Sequence, residues 1–142
     1  MQWLYSQKLV LPVLESFSSG TPSSDRVGDE TTALTKLWVL ADSLEMPRLQ
    51  NVTLQAINDL SVKSNAIVTK IYSWIYENTA SGSLLRRHTI ANLATFNIYQ
   101  FTVDTYQYPH ELLVEFGLYM LKREKGLEKK ELAISDYLVK ED

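Results

Sequence analysis

The chain has 142 residues, 45% hydrophobic and 22% charged, a balance that fits one globular domain with a core of its own and excludes a disordered chain. It contains no cysteine, which removes disulfides, thiolate metal sites, iron–sulfur clusters and cysteine nucleophiles. A formal net charge of −3 predicts no strong attraction to DNA, RNA or anionic lipid.

At the N-terminus, Met1-Gln2-Trp3-Leu4-Tyr5 lacks the basic region and long apolar run of a signal peptide. Every apolar run is far shorter than the roughly 20 residues a membrane-spanning helix needs. The expectation is therefore an intracellular protein, cytoplasmic or nuclear, without a membrane partner. Trp3, Leu4 and Tyr5 suit the end of a helix, and Lys8–Leu11 suits a short strand or an extended connection. Residues 18–32, crowded with Ser, Gly, Pro, Asp and Thr, read as a flexible loop.

A helix follows, because Leu34, Leu37, Trp38, Ala41 and Leu44 fall on one helical face, with Thr31 or Thr32 as its cap. Met46-Pro47 ends it, since the residue before a proline avoids the α region. Pro47 also suits the first turn of a second helix, whose stripe is Leu49, Val52, Ala56, Ile57 and Leu60. Ser64 is the expected cap of a third, with Ile67, Val68, Ile71, Tyr72 and Ile75 on one side. The stretch from Asn78 to Gly82 breaks it, and Ser83 caps a fourth helix with Ile90, Leu93 and Ala94 inward. Residues 97–108 mix aromatic and β-branched side chains and suit helix or strand. Pro109 opens a fifth helix with Leu112, Leu113, Phe116, Tyr119 and Met120 on its apolar side, and the Lys/Glu-rich tail, residues 122–142, reads as a solvated helix with frayed ends. The fold expected from this pattern is mostly α, a helical bundle.

No catalytic constellation emerges. His88 and His110 fall on different expected helices without a third ligand, and His88 follows Arg86 and Arg87, a poor setting for a metal cation. No Gly-x-Ser-x-Gly elbow occurs, and Gly20 and Gly28 lack the sequence of a phosphate loop. Asp42 and Glu45 share a helix end, where solvated carboxylates are the simpler reading. Arg86-Arg87-His88 is too short a basic run for nucleic-acid affinity and suits a surface salt bridge. The expectation is a non-enzyme with no cofactor and no metal.

The segments Trp3-Leu4-Tyr5-Ser6-Gln7-Lys8-Leu9, "LTKLWVLADSLEMPRLQNVTLQAI" over residues 34–57, "IYSWIYENTASGSLLRRH" over 71–88 and "YPHELL" over 108–113 resemble, in order and spacing, the C-terminal half of a BTB/POZ domain and the region after it in fungal members of that family. The resemblance divides the chain into a BTB/POZ-like portion at 1–62, a helical extension at 63–121 and a charged tail at 122–142. It implies a non-catalytic protein–protein interaction module, an adaptor acting through a protein partner or self-association, in some members bridging a substrate to a cullin-type ubiquitin ligase. It also implies that Arg86, in a recurring Leu-Arg pair after the "ENT" turn, binds Glu77 or a carbonyl at a helix C-terminus and fixes that turn.

Measured against that family, the chain is expected to be the closing half of the domain without the strands and helices ahead of Trp3, and so to carry an apolar face without its usual sheet. Trp3, Leu4, Tyr5, Leu9 and Leu11 are accordingly the expected partner-binding residues. Trp38 lies on a clean apolar stripe and is expected in the core, whereas Trp74 stands about one helical step off its stripe and can reach a neighbouring layer. The alternative is a helix-turn-helix DNA-binding protein using the break at Met46-Pro47, which the acidic total and the sparse Lys/Arg over residues 34–60 disfavour.

Overall fold

A computed structural model describes residues 24–65, 68–95, 108–126 and 132–141. Among them are five α-helices, one 3-10 turn and no strand, so the chain is mostly α. The helices are α1 (Ser24–Ser43), α2 (Pro47–Ser64), α3 (Tyr72–Asn78), α4 (Leu84–Ala94) and α5 (His110–Glu124), followed by a 3-10 turn at Ile134–Tyr137. They form two compact units, one holding α1, α2 and residues 139–141, the other α3, α4, α5 and the 3-10 turn. No helix among the described residues is long and apolar enough to cross a membrane.

In the first unit α1 packs on α2. Val27, Leu34, Trp38 and Ala41 recur every three, four or seven residues along α1 and are buried, Trp38 as expected. The helix starts at Ser24, so residues 24–32 of the segment expected as a loop are helical. Two causes, one local and one tertiary, offset their weak helix propensity. Asp25 sits in the first turn, where the helix dipole favours an anion. Inside the helix the hydroxyls of Thr32 and Thr35 are satisfied by the Gly28 and Thr31 carbonyls, each at 2.8 Å, bonds that do not themselves favour helix. Val27 supplies tertiary burial ahead of the apolar stripe. Thr31 and Thr32 therefore lie inside the helix and cap nothing, and Leu44 is exposed.

The turn into α2 is a Schellman motif. Met46 N–H donates to the Ala41 carbonyl at 2.8 Å and Glu45 N–H to Asp42 at 3.1 Å. Glu45 holds the left-handed conformation this motif requires, at φ 55°. Pro47 then opens α2, as its fixed φ predicts. Leu49, Thr53, Leu54, Ala56, Ile57, Leu60 and Ser61 are all buried, a wider arc than the single stripe legible in the sequence, and Val52 is only half-buried.

Asn51, also buried, closes this unit. Its Oδ1 accepts from Val139 N–H at 2.7 Å while its Nδ2 donates to the Val139 carbonyl at 2.8 Å and to Glu141 Oε2 at 2.8 Å. One side-chain amide thus satisfies both backbone groups of Val139, as a neighbouring strand would. α2 ends at Asn65, whose left-handed conformation (φ 51°) lets its N–H reach the Ser61 and Val62 carbonyls. Ser64 is the last residue of α2 and bonds back to the Ser61 carbonyl at 3.4 Å, so it caps no third helix. Ile67 lies outside the described residues, and Val68 and Thr69 are not helical.

In the second unit α4 is the centre, packed against α3, α5 and the 3-10 turn. Ile71, Tyr72, Ile75, Tyr76, Leu85, Ile90, Ala91, Leu93, Tyr108, Leu112 and Tyr137 are buried in it. Tyr72 meets Tyr108 edge to face with centroids 5.4 Å apart. Ser83 caps α4 as expected, its hydroxyl accepting from Leu85 N–H at 3.2 Å. The tail departs from a solvated helix. Residues 122–124 complete α5, Tyr137 is buried in the 3-10 turn, and Val139 is held by Asn51. The apolar Ile134, Tyr137, Leu138 and Val139 among the charges are the cause, because a wholly solvated helix leaves them in water.

Candidate interaction surface

α5 is placed by two arginines. Arg86, in the first turn of α4, is buried at 3% exposure, which contradicts the surface role expected for the Arg86-Arg87-His88 run. Its Nε donates to Thr79 Oγ1 at 2.8 Å, and its Nη2 to the carbonyls of Tyr76 at 2.9 Å and Thr79 at 2.6 Å. Thr79 in turn donates its hydroxyl to the Ile75 carbonyl at 2.6 Å. The guanidinium therefore occupies the open carbonyl end of α3, where the helix dipole favours a cation. The expectation that Arg86 binds carbonyls at a helix end and fixes the "ENT" turn matches this geometry. The acidic partner differs: it comes from α5, with Nη1 at 2.8 Å from Glu111 Oε1 and 3.5 Å from Glu115 Oε1. The Tyr76 ring lies 4.3 Å from the guanidinium carbon.

Burial dominates the electrostatics here. It raises the Glu115 carboxyl above its ordinary range, with Arg86 opposing and Glu111 adding to the shift. It also raises the Tyr76 phenol, with Glu115 contributing in the same direction. Both groups are thereby held towards their neutral forms by a site whose one buried cation is already bonded to Glu111.

At the other end of α5, Arg123 Nη1 donates to the Ala94 carbonyl at 3.2 Å, the C-terminal end of α4. The two ties run in the same order along both helices, so α4 and α5 point the same way. Between them Leu112 is fully buried, and Leu113, Phe116 and Tyr119 are half-buried. The opposite side of α5 faces out: Val114 is 49%, Leu118 53% and Leu121 60% exposed. These residues, spaced i, i+4 and i+7, form a second apolar stripe that the inward reading of this helix passed over. Met120, expected inward, is also exposed. The missed signal is that α5 is apolar nearly all round, a pattern belonging to a buried helix or to one that meets a partner.

Beside the stripe lies an open groove of about 190 Å³ between α4, α5 and the 3-10 turn. Ile90, Leu118, Tyr119 and Tyr137 supply its apolar surface, and Arg87, Glu115 and Lys122 its charges. The volume is below the roughly 300 Å³ at which small-molecule sites begin, which suits a side chain of a partner better than a metabolite.

The remaining candidates fall elsewhere. His88 is buried, with its ring edge-on to Tyr137 at 5.6 Å, and burial lowers its pKa to about 4. Such a neutral core imidazole is structural. Asp42 accepts from Gln50 Nε2 at 3.2 Å, whereas Glu45 stands past the helix end in the Schellman turn, so the two carboxylates do not share a helix face. Trp74 is half-buried. Trp3, Leu4, Tyr5, Leu9 and Leu11 lie outside the described residues. Compared with known protein families, with curated proteins and with solved structures, the chain matches none.

Proposed function

We propose that this chain is a non-catalytic protein-interaction module whose working surface is the outward face of α5. The observation that carries the reading is the exposed stripe Val114, Leu118 and Leu121 on a helix held from behind at both ends. A helix positioned this way loses little freedom on docking, so more of its burial energy is available for affinity. Full burial of each such side chain is worth roughly 1.5–3 kcal/mol. The sequence resemblance to the closing half of a BTB/POZ domain supports an intracellular adaptor, cytoplasmic or nuclear, with bridging to a cullin-type ubiquitin ligase as its specific form. The apolar residues Trp3, Leu4, Tyr5, Leu9 and Leu11 belong to the same reading as a second contact.

Affinity capture from cell extract tests it, comparing the native chain with a Leu118→Lys, Leu121→Lys chain whose circular dichroism is unchanged. Proteins bound by the native chain and lost from the variant, or self-association lost in the same way, support the reading. Identical bound sets and identical oligomeric states would overturn it. A Trp3→Ala, Tyr5→Ala chain tests the N-terminal contact in the same assay.

A further inference from the structure

The amide of Asn51 holds a piece of extended chain, and its bonds define what kind. Oδ1 accepts from Val139 N–H at 2.7 Å, and Nδ2 donates to the Val139 carbonyl and to Glu141 Oε2, each at 2.8 Å. Both hydrogens of the amide nitrogen are thus engaged. The other carboxylate oxygen of Glu141 stands 4.0 Å from Nε of Arg48, three residues before Asn51 on α2. We propose that Asn51 and Arg48 form a peptide-binding clamp for an extended segment of a partner protein with the pattern apolar residue, any residue, glutamate, and that residues 139–141 are its built-in competitor.

Each part of the pattern follows from one contact. The two bonds to Val139 go to its backbone, so every residue except proline can make them when the chain is extended. The Val139 side chain is half-buried, which favours an apolar residue there, whereas Lys140 is exposed and leaves its position open. Residues i and i+2 of an extended chain lie on one side. A carboxylate two positions further on therefore returns to the same amide, and Arg48 favours its charge. Asparagine is a weak helix former, and a buried amide is costly unless it is bonded. An apolar side chain at position 51 would serve helix packing better, so the amide is matched to the backbone it holds.

Residues 139–141 belong to no helix or strand. A partner segment that replaces them repeats the same bonds and breaks no regular structure. Being tethered, they compete at an effective concentration on the order of millimolar. The affinity of a partner segment falls by the fraction of time the clamp is vacant. Weak segments are thereby excluded, and those that add contacts of their own are admitted.

Val139→Pro removes the N–H that Asn51 reads, and Glu141→Ala removes the carboxylate. Leu138 is already extended (φ −83°, ψ 145°), as the residue before a proline must be. The full chain carrying both changes is titrated with the peptide acetyl-Gly-Leu-Ser-Glu-Gly-amide, and the side-chain amide signals of Asn51 are followed by NMR. They should move towards their native positions, and a peptide with Lys in place of Glu should need at least ten times the concentration. The native chain should respond to the first peptide only at a concentration at least tenfold higher than the variant needs. If the double variant does not fold, Glu141→Lys alone, at a side chain 48% exposed, should respond at a lower concentration than the native chain. Signals that neither peptide moves, equal responses to both peptides, or a native chain as responsive as the variants would overturn the proposal. A native dimer in sedimentation that Val139→Pro, Glu141→Ala abolishes would give the clamp to residues 139–141 of a second copy and overturn the partner segment as occupant.

Discussion

Nη1 of Arg86 stands 2.8 Å from Oε1 of Glu111, one side chain 4% exposed and the other 54%. The pair joins the end of α3 and the start of α4 to the start of α5, and the buried partner carries most of the energy. Arg86→Met strands the Tyr76 and Thr79 carbonyls and leaves Glu115 without its cation, so it should cost about 3–5 kcal/mol. Glu111→Gln keeps a hydrogen-bond acceptor beside Arg86 and retains Glu115, so the loss should be about 1 kcal/mol. Urea unfolding of the two variants measures both, and equal losses would show that the ion pair, and not the occupied helix end, dominates.

His88 makes stability depend on pH. Burial lowers its pKa to about 4 in the folded chain, against about 6.5 when unfolded. The unfolded state therefore binds more protons between these values, and stability falls as pH drops through that window. Above pH 6.5 this contribution is flat, and by pH 4 the accumulated loss is about 3 kcal/mol. Glu115, whose folded pKa is raised, works in the opposite sense: its contribution is present at low pH and lost as pH rises through its folded pKa. The clean measurement is accordingly the difference in urea midpoint between pH 7 and pH 5 in the native chain and in His88→Gln, which should show a smaller acid loss.

Glu45 adopts a left-handed conformation that costs a non-glycine residue about 1–2 kcal/mol. Glycine at this position keeps both bonds of the Schellman turn without that cost. Glu45→Gly should raise stability by about 1 kcal/mol and the melting temperature by several degrees. An unchanged or lower melting temperature would mean that the carboxylate supplies something beyond the turn.

Thr53 is fully buried, and its hydroxyl has no hydrogen-bond partner among the described residues. Valine has nearly the same shape and nothing to desolvate. Thr53→Val should therefore stabilise by about 1 kcal/mol, read from thermal unfolding.

The features legible in the sequence were those whose cause is local. Pro47 at the head of α2, Ser83 capping α4 and Trp38 in the core each follow from a spacing or a backbone constraint within one turn or one stripe. The position of Arg86 on the α3 carbonyls was legible through its place after the "ENT" turn, while its acidic partners were not, because α5 lies 25 residues further on. Residues 24–32 look like a loop by composition, and it is a tertiary contact, the burial of Val27 ahead of the main apolar stripe, that carries the helix through them. The outward stripe of α5 was hidden for another reason. Periodicity locates an apolar face but cannot tell, on a helix apolar nearly all round, which side the rest of the molecule covers.

The amide of Asn51 imposes an order on assembly as the protein is made. α1 and α2 are adjacent in sequence and can pair as soon as both have left the ribosome. The group that closes their unit arrives 88 residues later, at Val139. At synthesis rates of about 5–20 residues per second, a buried amide waits several seconds for its partner. During that interval the nascent hairpin carries an open polar slot on α2, shaped to accept one extended residue. A stop codon before Val139 would make the interval permanent.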